Sequence, residues 1–150
     1  MGINIKDINF LYEIGCLRYV NRTWRQFNGL QTANVAEHHF RVAWIALLLA
    51  MREGLVDTGK VVKMALAHDI AESRTGDVHY LSRQYTKRDE KLAVEDMLRD
   101  TTLQKEFLSL VEEYEARQTP EARVVKDADN LDVELELQEE KTRGHAAVKT

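Results

Sequence analysis

The sequence predicts an all-α fold, and three observations carry that prediction. Apolar residues recur on a 3.6-residue period in one segment after another. Most of these segments open on a residue able to cap a helix. Nowhere does the apolar–polar alternation of a half-buried strand appear between turn signals. A chain of 150 residues with 1 proline and 7 glycines leaves little room for linkers, so one domain spanning residues 1–150 is expected. A bundle of about five to seven helices would account for it.

The first helix is expected from about Ile5 to Val20, with Ile8, Leu11, Tyr12, Ile14 and Leu17 on its apolar side. The polar stretch from Asn21 to Gln31 carries Gly29 and keeps no period, so it reads as a loop; it holds Arg22, Trp24 and Arg25. Asn34 and Glu37 have the spacing of a capping box, and the helix they open should stop near Gly54. Its stripe is Val35, His38, Val42, Ile45 and Leu49. Asp57-Thr58-Gly59 restarts the chain, and a third helix should run to about Ser73. Thr75 to Arg83 reads as a loop with at most a helical turn. Thr86 to Asp89 opens a charged helix through Leu98, and Thr101 to Gln104 caps the next, which runs to about Arg117 with Leu103, Phe107, Leu110, Val111 and Tyr114 inward. Thr119-Pro120 starts the last helix, because proline suits the first helical position. Its stripe is Val124, Ala128, Leu131 and Leu135, and it should reach Thr142. After about residue 143 the chain is expected to be loosely ordered or to continue into a longer protein.

Composition excludes several functions. A formal net charge of −4 argues against general nucleic-acid binding through a basic surface. Cys16 is single, so no intrachain disulfide forms and a reducing compartment fits. The first residues lack the basic and apolar regions of a signal peptide, and Lys6 stands where a myristoylation motif wants Ser or Thr. The longest apolar run, Ala43 to Met51, is too short to span a bilayer. A soluble, cytoplasmic protein is expected.

The chemistry concentrates in Leu66-Ala67-His68-Asp69-Ile70-Ala71-Glu72, followed by Gly76-Asp77. On a helical period His68, Asp69 and Glu72 project to one side, next to apolar rows. Charged groups facing a core are costly unless paired or bound to a metal. His38 on another inward stripe, and an aspartate near the middle of the last helix, complete a nitrogen and oxygen donor set. Such donors suit Mn, Fe, Co, Ni or Zn better than Mg, and without thiolates no closed structural zinc site is possible. Four such ligands leave an octahedral metal open positions, the layout of a hydrolytic centre. His39 competes with His38, and Asp127 and Asp132 with Asp129. Bland readings exist too: Asp69 pairing with Arg41, Trp24 covering a core edge, His79 and His145 in solvent. The run Glu134, Glu136, Glu139 and Glu140 reads as a solvated face, and Met51, Met64 and Met97 as core.

These segments resemble the HD-domain phosphohydrolase superfamily, and most closely its 5′-deoxynucleotidase-like branch. The resemblance rests on Val35-Ala36-Glu37-His38-His39-Phe40-Arg41, on His68-Asp69-Ile70-Ala71-Glu72 with Gly76-Asp77, and on Lys126-Asp127-Ala128-Asp129. It extends from about Leu11 to Glu140. It implies metal ligands His38, His68, Asp69 and Asp129, with Glu72 and Asp69 aligning or deprotonating the attacking water. It also implies that Asp77 reads the sugar, and that Arg22 and Trp24 meet the phosphate and nucleoside. Thr23 separates that pair here, whereas some members have it adjacent, so Arg25 is an alternative phosphate ligand. The implied activity is metal-dependent hydrolysis of (deoxy)nucleoside 5′-monophosphates, by a chain that is often a homodimer. Triphosphates, alarmones or cyclic nucleotides remain as substrates, as does a metal-holding nucleotide-binding domain without turnover.

Overall fold

Among the described residues six helices of nine residues or more carry the fold, and five of them begin on a side chain that accepts a backbone N–H. They are α1 (Ile5–Gly15), α3 (Val35–Glu53), α4 (Thr58–Ala67), α7 (Glu90–Leu98), α8 (Gln104–Ala116) and α9 (Pro120–Thr142). The caps are Asn4, Asn34, Asp57, Asp89 and Thr119, each satisfying an otherwise orphaned donor of the first turn. Asn34 and Glu37 form the full capping box. α8 is the exception: the expected cap Thr101 turns back and donates to the Leu98 carbonyl at 2.7 Å. Three one-turn helices, α2 (Trp24–Asn28), α5 (Glu72–Thr75) and α6 (Tyr80–Arg83), and a 3-10 helix at Cys16–Tyr19 complete the helices of the described residues. The computed structural model describes residues 2–54 and 56–145, and among these there is no strand. The expectation for the end of the chain falls partly on residues 146–150, outside the described residues. No described helix is long and apolar enough to cross a membrane.

α3 is the axis. It packs along α4 and α9, and α8 closes against both of those. Val42, Ala46 and Ala50 of α3 meet Val61, Met64 and Ala65 of α4 and Val125 and Ala128 of α9, all fully buried. The alanines allow the three helices to approach closely, and that approach brings polar residues at the N-terminal end of α3 against α4 and α9. A second apolar cluster joins Phe10 of α1 to Ile70, Val94, Met97 and Leu98. The loop between α1 and α3 is pinned at its base, where Val35 N–H donates to Val20 O at 2.9 Å and Arg22 N–H to Ala33 O at 3.3 Å. Its tip, with Arg22 and Trp24, therefore stays beside the same end of the bundle.

Five expectations are corrected. The first helix stops at Gly15, and Leu11 and Tyr12 are exposed while Phe10 and Leu17 turn inward. The third helix stops at Ala67 instead of Ser73. There the His68 ring bonds the Ala65 carbonyl at 2.7 Å, the acceptor that the next helical N–H would use. The backbone tightens to i→i−3 bonds, Glu72 N–H to Asp69 O at 3.0 Å and Ser73 N–H to Ile70 O at 3.2 Å. On α9 the buried row runs Val125, Ala128, Asp132, Glu136 and Glu140, while Leu131 and Leu135 face out. Glu136 is buried because it accepts the Ala33 N–H at 2.5 Å, so the acidic run is not a wholly solvated face. Met51 is exposed, although Met64 and Met97 are core as expected.

Candidate functional site

His38 stands in the first turn of α3, His68 ends α4, Asp69 follows it, and Asp129 projects from the middle of α9. One donor atom from each lies within 4.8 Å of every other. The Nε2 atoms of His38 and His68 are 3.3 Å apart. Asp69 Oδ2 is 3.0 Å from His68 Nε2, and Asp129 Oδ1 is 3.3 Å from His38 Nε2.

The rings are oriented from behind. His68 Nδ1 faces the Ala65 carbonyl, which only accepts, so that nitrogen carries the hydrogen and Nε2 presents a lone pair. His38 Nδ1 lies 2.6 Å from Asp132 Oδ2, which fixes the same tautomer in the neutral ring. Asp132 is held in turn by Arg41, which also reaches Glu139 at 2.7 Å. Two lone pairs and two carboxylates thus converge in a buried space, an arrangement that only positive charge relieves. Burial alone would depress the His38 imidazole, yet its bonds to Asp129, Asp132 and Asp69 carry it up to about 10. Burial would raise Asp69, but the His68 charge and bonds from His38 and His68 hold it well below the usual carboxylate range. The nitrogen and oxygen donors, their spacing and this appetite for positive charge fit a divalent transition metal.

Glu72, one turn beyond Asp69, is buried, and its Oε2 has no hydrogen-bond partner. Burial, then the charges of Asp69 and Asp77, push its carboxyl up to about 9. It lines a cleft of about 370 Å³ that shares Asp69 and Asp129 with the donor cluster. Arg22, Trp24 and Asp77 also line it. Asp77 Oδ2 accepts the Thr23 N–H at 2.9 Å and stands 3.7 Å from the Arg22 guanidinium. His79, expected in solvent, is buried: its ring lies 3.8 Å from that of Phe27 and edge-on to Trp24 at 5.8 Å.

A family model described as HD domain matches residues 14–150. The chain belongs to the HD domain family. It is 35% identical over 138 residues to the 5′-deoxynucleotidase HDDC2 of Danio rerio, an alignment covering 88% of this chain and 68% of that protein. It is 30% identical to a 5′-deoxynucleotidase of Photorhabdus laumondii, covering 91% of this chain and 76% of that one. Among solved structures, a conserved hypothetical protein from Pyrococcus furiosus superposes with a TM-score of 0.80 at 28% identity, covering 95% of this chain and 83% of the other. The predicted metal-dependent phosphohydrolase of Magnetospirillum magnetotacticum gives 0.74 at 29%, with 89% and 71% covered.

This HD domain brings together His38, His68, Asp69, Asp129, Glu72, Asp77, Arg22 and Trp24 around one cluster and its cleft. Arg25 is not among them: it is exposed, and its guanidinium reaches Asn21 Oδ1 at 3.4 Å. Of the rival residues, Asp127 is exposed, and Asp132 lies behind His38 instead of among the four converging donors. His39 is buried against the His68 ring, with its Nε2 unpartnered. Burial and then the His68 charge push it down to about 3, so it stays neutral. Arg41 pairs with Asp132 and Glu139, not with Asp69. Asp132 was visible in the sequence only as a rival to Asp129; its spacing of four from Ala128 was the available signal. Tyr114, expected as core, is buried yet also lines the cleft.

Proposed function

We propose that this HD domain is a metal-dependent phosphohydrolase that converts deoxynucleoside 5′-monophosphates to nucleoside and phosphate. The observation that carries the reading is the buried Glu72 carboxyl, its Oε2 unpartnered, lining an open cleft beside four converging donors. The two relatives named above as 5′-deoxynucleotidases support it. His38, His68, Asp69 and Asp129 would hold the cation. When bound, that cation activates water and draws charge from the phosphoryl oxygens. With the cation offsetting the charges of Asp69 and Asp77 that raise it, Glu72 would ionise, accept a hydrogen bond from the attacking water and take its proton. Asp69, next to His68, helps to align that water. Arg22 offsets phosphate charge, with Lys126 nearby on the Asp129 side, its Nζ 2.7 Å from Asp129 Oδ2. Asp77, held by Thr23, meets the sugar, and Trp24 covers the nucleoside. As water adds to phosphorus in line, the P–O5′ bond breaks and O5′ takes a proton from solvent, so that the nucleoside leaves as its alcohol and Glu72 returns its own proton to solvent.

The same reading extends to the setting. The donor set favours Mn, Fe, Co, Ni or Zn over Mg. The exposed lone Cys16 suits a reducing cytoplasm, and the net charge of −4 suits a small nucleotide substrate over a nucleic acid. Phe40, Trp44, Leu48 and Met51 form an exposed apolar stripe along α3, which supports a homodimer.

The test is phosphate release from deoxy- and ribonucleoside 5′-monophosphates with Mn, Co, Ni, Zn or Mg. Metal-dependent release favouring deoxy forms is expected. Silence on every monophosphate, from protein shown to hold metal, would replace this reading with another phosphorylated nucleotide or a binding role.

A further inference from the structure

Gly76 joins the Glu72 turn to Asp77 in a backbone conformation, φ 73° and ψ 160°, that residues with a side chain rarely adopt. A Cβ there would meet nothing within 4 Å, so conformation and not space calls for glycine. Glycine supplies that geometry but does not hold it, because its backbone has many accessible states. On the upstream side the hold is the Gly76 N–H to Glu72 O bond of 2.9 Å. On the downstream side the Gly76 carbonyl accepts from Arg88 Nη1 at 2.7 Å and, more weakly, from Thr75 Oγ1 at 3.4 Å.

Arg88 lies in the segment leading into α7, just before its cap Asp89. Its side chain is 9% exposed, and its second nitrogen pairs with Glu90. A guanidinium engaged on both sides gives the carbonyl a directed, charge-assisted bond. Asp77 is then fixed twice, through its own carboxylate by the Thr23 N–H and through the preceding peptide by Arg88.

We infer that Arg88 is a positioning residue for substrate selection: by holding the Gly76 carbonyl it sets where Asp77 meets the sugar. This rests on the nucleotidase reading above. Losing the bond frees the Gly76–Asp77 peptide without touching the four ligands.

The experiment compares the wild type, Arg88→Ala and Arg88→Lys on a deoxynucleotide, its ribonucleotide and an aryl phosphate that has no sugar, with bound metal measured in each. For Arg88→Ala the KM for the deoxynucleotide should rise about tenfold and the deoxy-over-ribo ratio should fall by a similar factor, as expected for one lost charge-assisted bond. Aryl phosphate hydrolysis and metal content should hold. Arg88→Lys should recover part of the ratio, because an ammonium still donates to the carbonyl but cannot also clamp Glu90. An unchanged ratio in Arg88→Ala would overturn the inference while leaving the nucleotidase reading intact. An equal loss on all three substrates would overturn it too, by making Arg88 a general structural residue. A wild type that hydrolyses no nucleotide, or shows no sugar preference, would fail the underlying reading, and the inference would fall with it.

Discussion

The two ends of the α3–α4–α9 bundle are built from the same helices on opposite principles. At one end Val42, Ala46 and Ala50 pack against Val61, Met64 and Val125, with no polar atom to satisfy. At the other, within the same helix, His38 and His39 are buried among Asp132, Arg41, His68 and Asp69. The apolar end gains free energy from every contact, since burial and dispersion favour the folded state there. The polar end spends part of that gain. It buries an unpartnered His39 nitrogen and an unpartnered Glu72 oxygen, and it crowds carboxylates that a cation would relieve. Stability and function are therefore separable along one helix, and substitutions can test how cleanly.

The largest effect should come from the polar end. Asp69→Ala removes a ligand that also bridges the two histidines, so bound metal should be lost and turnover should drop by on the order of a thousandfold or more. Glu72→Gln should keep the metal yet lose about 10²–10⁴ in rate, as removal of a general base does. Metal analysis beside phosphate release reads both, and full activity in Glu72→Gln would remove its assigned role. Next comes the apolar end. Met64→Ala should cost about 2–5 kcal/mol in chemical denaturation, the range for a large core side chain cut to alanine, with metal affinity retained in the folded protein. Metal loss there would show that the ends are coupled.

Asp132→Asn sharpens the boundary between them. The amide keeps the shape but not the charge that orients His38 and anchors Arg41, so metal affinity should weaken about 10–100-fold by competition titration. Smallest is a partly exposed ion pair on the turn that carries Glu72. Arg74 bonds Glu13 at 2.6 Å and holds its carboxyl below the usual value. Because the folded-state pKa is the lower one, the contribution is present above the unfolded value and disappears as pH falls through the folded value. Glu13→Gln should therefore cost about 0.5 kcal/mol near pH 7, a modest figure because the pair is partly solvated. Denaturation curves of the two proteins should converge in acid; a difference that persists there would assign the loss to packing.

Much of this organisation was legible in the sequence. Asn34 with Glu37, Asp57, and Thr119 with Pro120 opened their helices as read, because a cap is a local bond between residues two or three apart. The His68-Asp69 doublet and His38, read as facing one another, do converge with Asp129 in one cluster of donor atoms. The break at Ala67 was not legible, because it depends on a histidine side chain competing for a helical carbonyl. Arg25, an alternative phosphate ligand because Thr23 separates Arg22 from Trp24, is exposed on the short α2 and reaches Asn21.

The sequence by itself determined the order of the helices, their caps and the kinds of atom able to meet at a metal, since these follow from neighbours along the chain. Tertiary structure decided which of Asp127, Asp129 and Asp132 became an exposed charge, one of four converging donors and the support of His38. It also buried Glu136 against the Ala33 N–H and Arg88 against the Gly76 carbonyl. Those outcomes depend on the rotation of α9 about its axis and on partners that approach from 12 to 103 residues away. A periodic pattern fixes that rotation only loosely, and packing fixes it fully.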